Sequence, residues 1–327
     1  MKFIKRTGLL LLCFLTAFAA AGCKHTEGTW KTTDRLKVMT TLFPYYDFVR
    51  NIAGDTVELK LLLPAGQDTH SFEPTPADMI DIQKSDLFFY NGGEAESWVP
   101  DVLSALDTSR IHAVSALDSV QLLEENTHVH DGVEDTHEHG AEEHEHNTET
   151  ITYDEHIWTS PANAIEIVKY LTGVLQEAAP QYADLYAQNS AAYIEKLTAL
   201  DAQFRALSNR AVNKTIVVGD KFPLLYFVQA YGFSYQAAFS GCSHDTEPSA
   251  GTMAALIHYV KENQIPVVYY LELSSHKTAD AIAEAAGAKS LLFHSCHSVS
   301  RQEWEAGVTY LSLMEQNLKN LEEGVCQ

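Results

Sequence analysis

The chain has 327 residues, with 22 Lys plus Arg against 44 Asp plus Glu and a formal charge of −22. An apolar fraction of 46% is too high for a disordered chain, and the length fits about two domains of roughly 100–200 residues each. The acidic balance argues against nucleic acid or an anionic membrane surface as a direct ligand, because both want basic patches, and suits a cation.

The first segment reads as an address. Lys2, Lys5 and Arg6 precede an apolar stretch over 9–21 that is too short to span a bilayer, which describes a secretory signal. It ends in Ala20-Ala21-Gly22-Cys23, similar to a bacterial lipobox, so 1–22 is expected to be removed and Cys23 lipidated. Residues 23–35 are polar and read as a tether. Short β-rich runs follow at 36–42, 57–63 and 87–90, with helical stretches at 45–53 and 76–84 between them. Strands alternating with helices predict a parallel α/β lobe over 36–179. Residues 124–150 interrupt it with His, Glu and Asp and few apolar residues, so no packed core is expected there. Pro161 opens a helix to about residue 178. From 180 to 211 apolar residues recur at helical spacing, predicting a linking helix about 45 Å long at 1.5 Å per residue. A second α/β lobe, 212–327, is predicted from strands at 215–218, 233–238, 267–271 and 290–293. Its helices are expected at 223–231, 249–263, 277–286 and 303–321. The fold class is therefore α/β: two similar lobes joined by one long rigid helix.

Two loops carry the chemistry. The stretch 67–76, Gln-Asp-Thr-His-Ser-Phe-Glu-Pro-Thr-Pro, follows a strand and precedes a helix. Ligands bind beyond the carboxyl ends of strands in such sheets, and His70 there can offer a ring nitrogen to a metal. The stretch 153–161, Tyr-Asp-Glu-His-Ile-Trp-Thr-Ser-Pro, places His156 just before a helix. Each alone is equally well an ordinary loop histidine.

Taken together, they resemble the zinc and manganese substrate-binding lipoproteins of bacterial ABC importers. Residues 64–76 and 154–161 match the two family stretches that each carry a metal-binding His, and Glu247-Pro248-Ser249 resembles a family helix start. The resemblance spans about 36–322. It implies a lipid-anchored, extracytoplasmic monomer that captures a metal between two lobes and hands it to an ABC permease and its ATPase. The family's third ligand position falls on Lys221, whose ammonium cannot ligate, with Asp220 beside it. The fourth falls on His294, so the expected metal set is His70, His156, His294 and His297. Cys242 and Cys296 are expected to be neighbours, either as a disulfide or as thiolate ligands. An imidazole-rich set favours Zn²⁺ over Mn²⁺. His128, His130, His137, His139, His144 and His146 form an auxiliary set for weak cation binding, whereas His25, His112 and His258 read as bystanders. The alternatives are a surface zinc buffer or adhesin on the same fold, and a secreted zinc hydrolase. For the last, the sequence holds neither His-Glu-x-x-His nor Gly-x-Ser-x-Gly, and no enzyme activity is expected.

Overall fold

Eight short strands, among the residues described, assemble into two four-stranded parallel sheets. The computed structural model describes residues 35–125, 152–239 and 247–327. The expected signal, Cys23 and tether, the six loop histidines and Cys242 lie outside the described residues.

In the first half, β1 (Leu36–Thr40), α1 (Phe43–Ala53), β2 (Val57–Leu61), α2 (Pro76–Lys84), β3 (Leu87–Tyr90), α3 (Trp98–Ala105) and β4 (His112–Ser115) build a sheet of order β2-β1-β3-β4. The central β3, Leu-Phe-Phe-Tyr, is apolar throughout because helices cover both faces. The edge strand β2, Val-Glu-Leu-Lys-Leu, alternates instead. α2 starts at a Thr75–Asp78 capping box with Pro76 in its first turn. α3 and β4 were not foreseen.

Next come α4 (Pro161–Ala178) and α5 (Ala183–Arg210). The long helix has 28 residues, and is thus about 42 Å long at 1.5 Å per residue. It is preceded by a separate 3₁₀ turn, Pro180–Tyr182, rather than beginning at Pro180. It packs on α1 and α4. The second half repeats the pattern with β5 (Thr215–Val218), α6 (Leu225–Tyr231), β6 (Ser234–Ala237), α7 (Ala250–Glu262), β7 (Val267–Tyr270), α8 (Lys277–Ala286) and β8 (Lys289–Leu292), in the order β6-β5-β7-β8. The expected last helix is two: α9 (Arg301–Ala306) and α10 (Tyr310–Val325). Gly307, at φ 69°, ends the first in the left-handed conformation that a helix cannot continue through. α10 lies against α5 as well.

One apolar cluster runs through both halves, from Val38, Phe48 and Trp158 through Leu197 and Phe204 of α5 to Phe227, Phe293 and Leu321. The lobes are therefore two sheets on a shared core. Hydrogen bonds also cross between them. Gly66 N–H donates to the Val299 carbonyl at 2.7 Å, the Tyr310 hydroxyl to the Trp158 carbonyl at 2.7 Å, and Arg50 Nη2 to the Val308 carbonyl at 2.8 Å. Among the described residues no helix is long and apolar enough to cross a membrane.

Candidate metal centre

Loops at the carboxyl ends of β2 in one sheet and of β5, β7 and β8 in the other meet the turn before α4 at one cavity. His70 sits in the 3₁₀ turn Thr69–Ser71 after β2, where the Asp68 side chain caps the turn by accepting the His70 N–H at 2.9 Å. His156 opens the turn Ile157–Thr159 before α4 and is buried. His297 follows β8. One ligand atom from each of these three lies within 4.8 Å of the others. The ring centroids are 6.0 Å apart for His70 and His156 and 5.6 Å apart for each of the other two pairs.

His156 and His297 are each held by a neighbouring acid. Asp154 Oδ1 accepts the His156 backbone N–H at 2.8 Å and lies 3.2 Å from Nδ1 of its ring. That contact places the ring proton on Nδ1 and leaves Nε2 as the donor, the arrangement typical of a metal-ligating histidine. Asp154 is itself fixed, because its N–H donates to the Leu123 carbonyl at 2.9 Å and its carbonyl accepts the Tyr226 hydroxyl at 2.8 Å. The His297 N–H donates to Glu272 Oε1 at 3.2 Å, and its ring lies against Trp158 with centroids 5.0 Å apart. Trp158 in turn donates its Nε1–H to the Ser295 carbonyl at 2.9 Å, tying the His156 turn to the His297 loop. Burial, then the nearby His156, His70 and Lys221, push the His297 pKa well below the usual imidazole range. Its ring is therefore neutral near pH 7, and a metal need not displace a proton from it.

The family described as Zinc-uptake complex component A periplasmic, ZnuA, matches residues 38–324. The chain belongs to this family. It is 34% identical to the High-affinity zinc uptake system protein ZnuA of Bacillus subtilis, over 99% of this chain and 98% of that one. It is also 34% identical to the Zinc-binding lipoprotein AdcA of Streptococcus pneumoniae, over 98% of this chain and 61% of that relative, whose length it thus spans only in part. The crystal structure of the Zn(II)-bound ZnuA-like domain of the S. pneumoniae protein superposes with a TM-score of 0.73 at 32% identity, covering 90% of this chain and 100% of that one.

Within this ZnuA-family fold, the four expected histidines divide. His70, His156 and His297 converge, but His294 does not join them. Its Nδ1 accepts the Cys296 N–H at 2.9 Å, so the ring proton sits on Nε2, which faces Glu303 Oε1 at 3.6 Å. Burial opposes protonation of this ring, but Glu272 and Glu303 together raise its pKa. Glu303 is held down to about 2, chiefly by His294. Nδ1 is thus engaged, and Nε2 is buried beside Glu303, outside the cluster of His70, His156 and His297. The His294 backbone is also clamped, donating to Asn317 Oδ1 and accepting from Asn317 Nδ2, each at 2.7 Å. Between the two histidines, Cys296 adopts φ 62°, a left-handed conformation uncommon outside glycine, and the chain turns there.

Asp220 does not enter the triad either. Its Oδ1 accepts the Lys221 N–H at 2.9 Å, and its Oδ2 lies 3.4 Å from the Leu271 N–H. The loop lies close under α8, and only Gly219 fits there: a Cβ would come within 2.5 Å of the Ala279 backbone. Lys221 lines the same cavity of about 500 Å³ as the three histidines. The Cys296 thiol is free and buried, and burial pushes its pKa well up, so it is no thiolate at neutral pH. Cys242, its expected neighbour, lies outside the described residues. His112 and His258 are exposed and are not part of the triad. Glu272 escaped the sequence reading. It accepts from the Ser295 N–H at 2.7 Å as well as from His297, and so shapes the ligand loop. Its signal was a lone acid directly after the buried run Val-Val-Tyr-Tyr-Leu.

Proposed function

We propose that this protein is an extracytoplasmic zinc receptor, in which His70, His156 and His297 bind Zn²⁺ and from which the ion passes to the permease of an ABC importer. The observation that carries this is the three-imidazole convergence within 4.8 Å. Around a tetrahedral zinc with Zn–N bonds of about 2.0–2.1 Å, ligand nitrogens stand about 3.4 Å apart, so capture needs a contraction of at most about 1.4 Å. The loops carry that contraction, because the shared core and the cross-lobe hydrogen bonds oppose a wide hinge motion of 36–179 against 212–327 about the linking helix. Three imidazoles with no carboxylate among them favour zinc over the harder manganese. The names of the B. subtilis and S. pneumoniae relatives support zinc as the cargo and uptake as the purpose. In this reading the protein is a binding protein rather than a catalyst, and lipidation of Cys23 keeps it at high effective concentration beside the permease. The histidines of 128–146 collect cations weakly.

Titration of the full chain with zinc against a chromophoric chelator tests this. The wild type should show one tight site. His70→Ala, His156→Ala and His297→Ala should each weaken it by more than about a hundredfold, exceeding what loss of a supporting residue costs. Tight binding that survives any of the three substitutions would refute the assignment.

A further inference from the structure

The cavity that holds the three histidines also contains a lysine. Lys221 follows β5 and lines the same cavity as His70, His156 and His297. Three carboxylates line it too, and each is committed to the backbone. Asp68 accepts from His70 N–H, Asp220 from Lys221 N–H, and Glu272 from the N–H groups of Ser295 and His297. These acids give the cavity an attraction for cations that does not depend on the imidazoles. They act on whichever cation is present.

We propose that Lys221 is an affinity-setting residue, an internal competitor whose ammonium neutralises the acid-lined cavity without metal and repels the ion once it is bound. Charges in one partly screened cavity interact over the distances that separate its walls, and a divalent ion doubles the repulsion. The lysine stem is long and flexible and its ammonium is a compact charge, so it can hold the cavity when no metal is present and swing outward on capture. The three histidines supply the bonding, and Lys221 keeps the complex from becoming too tight to pass on. Its repulsion acts on the bound state, so its main kinetic effect is to speed release. This inference rests on the proposed zinc site.

The test uses the full chain with zinc alone as the probe. Affinity comes from competition with a chelator, and release is timed by transfer to excess chelator in stopped flow. Lys221→Met, which keeps the stem and removes the charge, should bind zinc at least about fivefold more tightly, mostly through slower release. Lys221→Arg keeps the charge and should return both quantities toward the wild type. Equal or weaker zinc binding by Lys221→Met would overturn the proposal, as would tightening by Lys221→Arg equal to that by Lys221→Met, which would indicate shape instead of charge. Should the wild type itself bind no zinc tightly, the site assignment fails and not this inference alone.

Discussion

Asp154→Asn removes one negative charge from behind the His156 ring while keeping an oxygen where Oδ1 stands. In the wild type that oxygen meets both the His156 N–H at 2.8 Å and ring Nδ1 at 3.2 Å. The amide oxygen can still accept both, and the Leu123 and Tyr226 contacts that fix residue 154 use only its backbone. The turn therefore stays in place. What is lost is the charge that fixes the tautomer and makes Nε2 a better donor, and charge-assisted hydrogen bonds are about twice as strong as neutral ones. Loss of such a supporting carboxylate costs about ten- to hundredfold in metal affinity, equal to about 1.4 to 2.7 kcal/mol. Chelator competition at neutral pH measures it, with a thermal melt of the metal-free protein to confirm an intact fold. Zinc affinity within twofold of wild type would refute this role. A loss beyond about a thousandfold with an unchanged melt would exceed any supporting role and make Asp154 a ligand.

His294→Gln should cost stability but less than about tenfold in zinc affinity, whereas His297→Ala removes the tight site; equal losses in chelator competition would restore His294 as a ligand. Trp158→Phe strands the buried Ser295 carbonyl and should lower unfolding free energy by about 1–3 kcal/mol in denaturant titration; no change would make that cross-lobe bond irrelevant. Glu96 is buried, and burial raises its pKa from 4.5 to about 7, with Glu155 adding to the rise. The native state thus holds a proton there that the unfolded chain releases, so this contribution is full below pH 4.5 and lost as pH rises through 7. Glu96→Gln should flatten that loss and stabilise the protein at alkaline pH by up to about 3 kcal/mol; parallel stability–pH curves would contradict it. Residues 125 and 152 are hydrogen-bonded, so replacing 126–151 with a two-residue turn should leave the tight site and abolish only weak binding, as counted by calorimetry.

Strand and helix alternation was legible because parallel strands bury both faces and so read as apolar runs: 215–218 and 277–286 coincide with β5 and α8. α3 was hidden by Pro100 in its first turn, and β4 by its brevity and its exposed His112. His70 and His156 stood out because each sits in a distinctive local string. The His-Ser-Cys-His stretch did not reveal which ring faces the cleft. That choice depends on the left-handed backbone at Cys296 and on the Asn317, Glu272 and Glu303 contacts, the nearest of which in sequence, Glu303, is six residues beyond His297. Asp154 was within reach of the sequence, since an acid two residues before a histidine can cap its N–H and its ring together. Glu272 required the β7–β8 pairing to bring it under the ligand loop.

An anomalous-difference map at the zinc edge, from crystals of the protein with one equivalent of zinc, tests the central claim most directly. The account predicts one strong peak about 2.0–2.1 Å from a ring nitrogen of each of His70, His156 and His297. A peak bonded to His294, or one that leaves any of the three histidines unbonded, would contradict it.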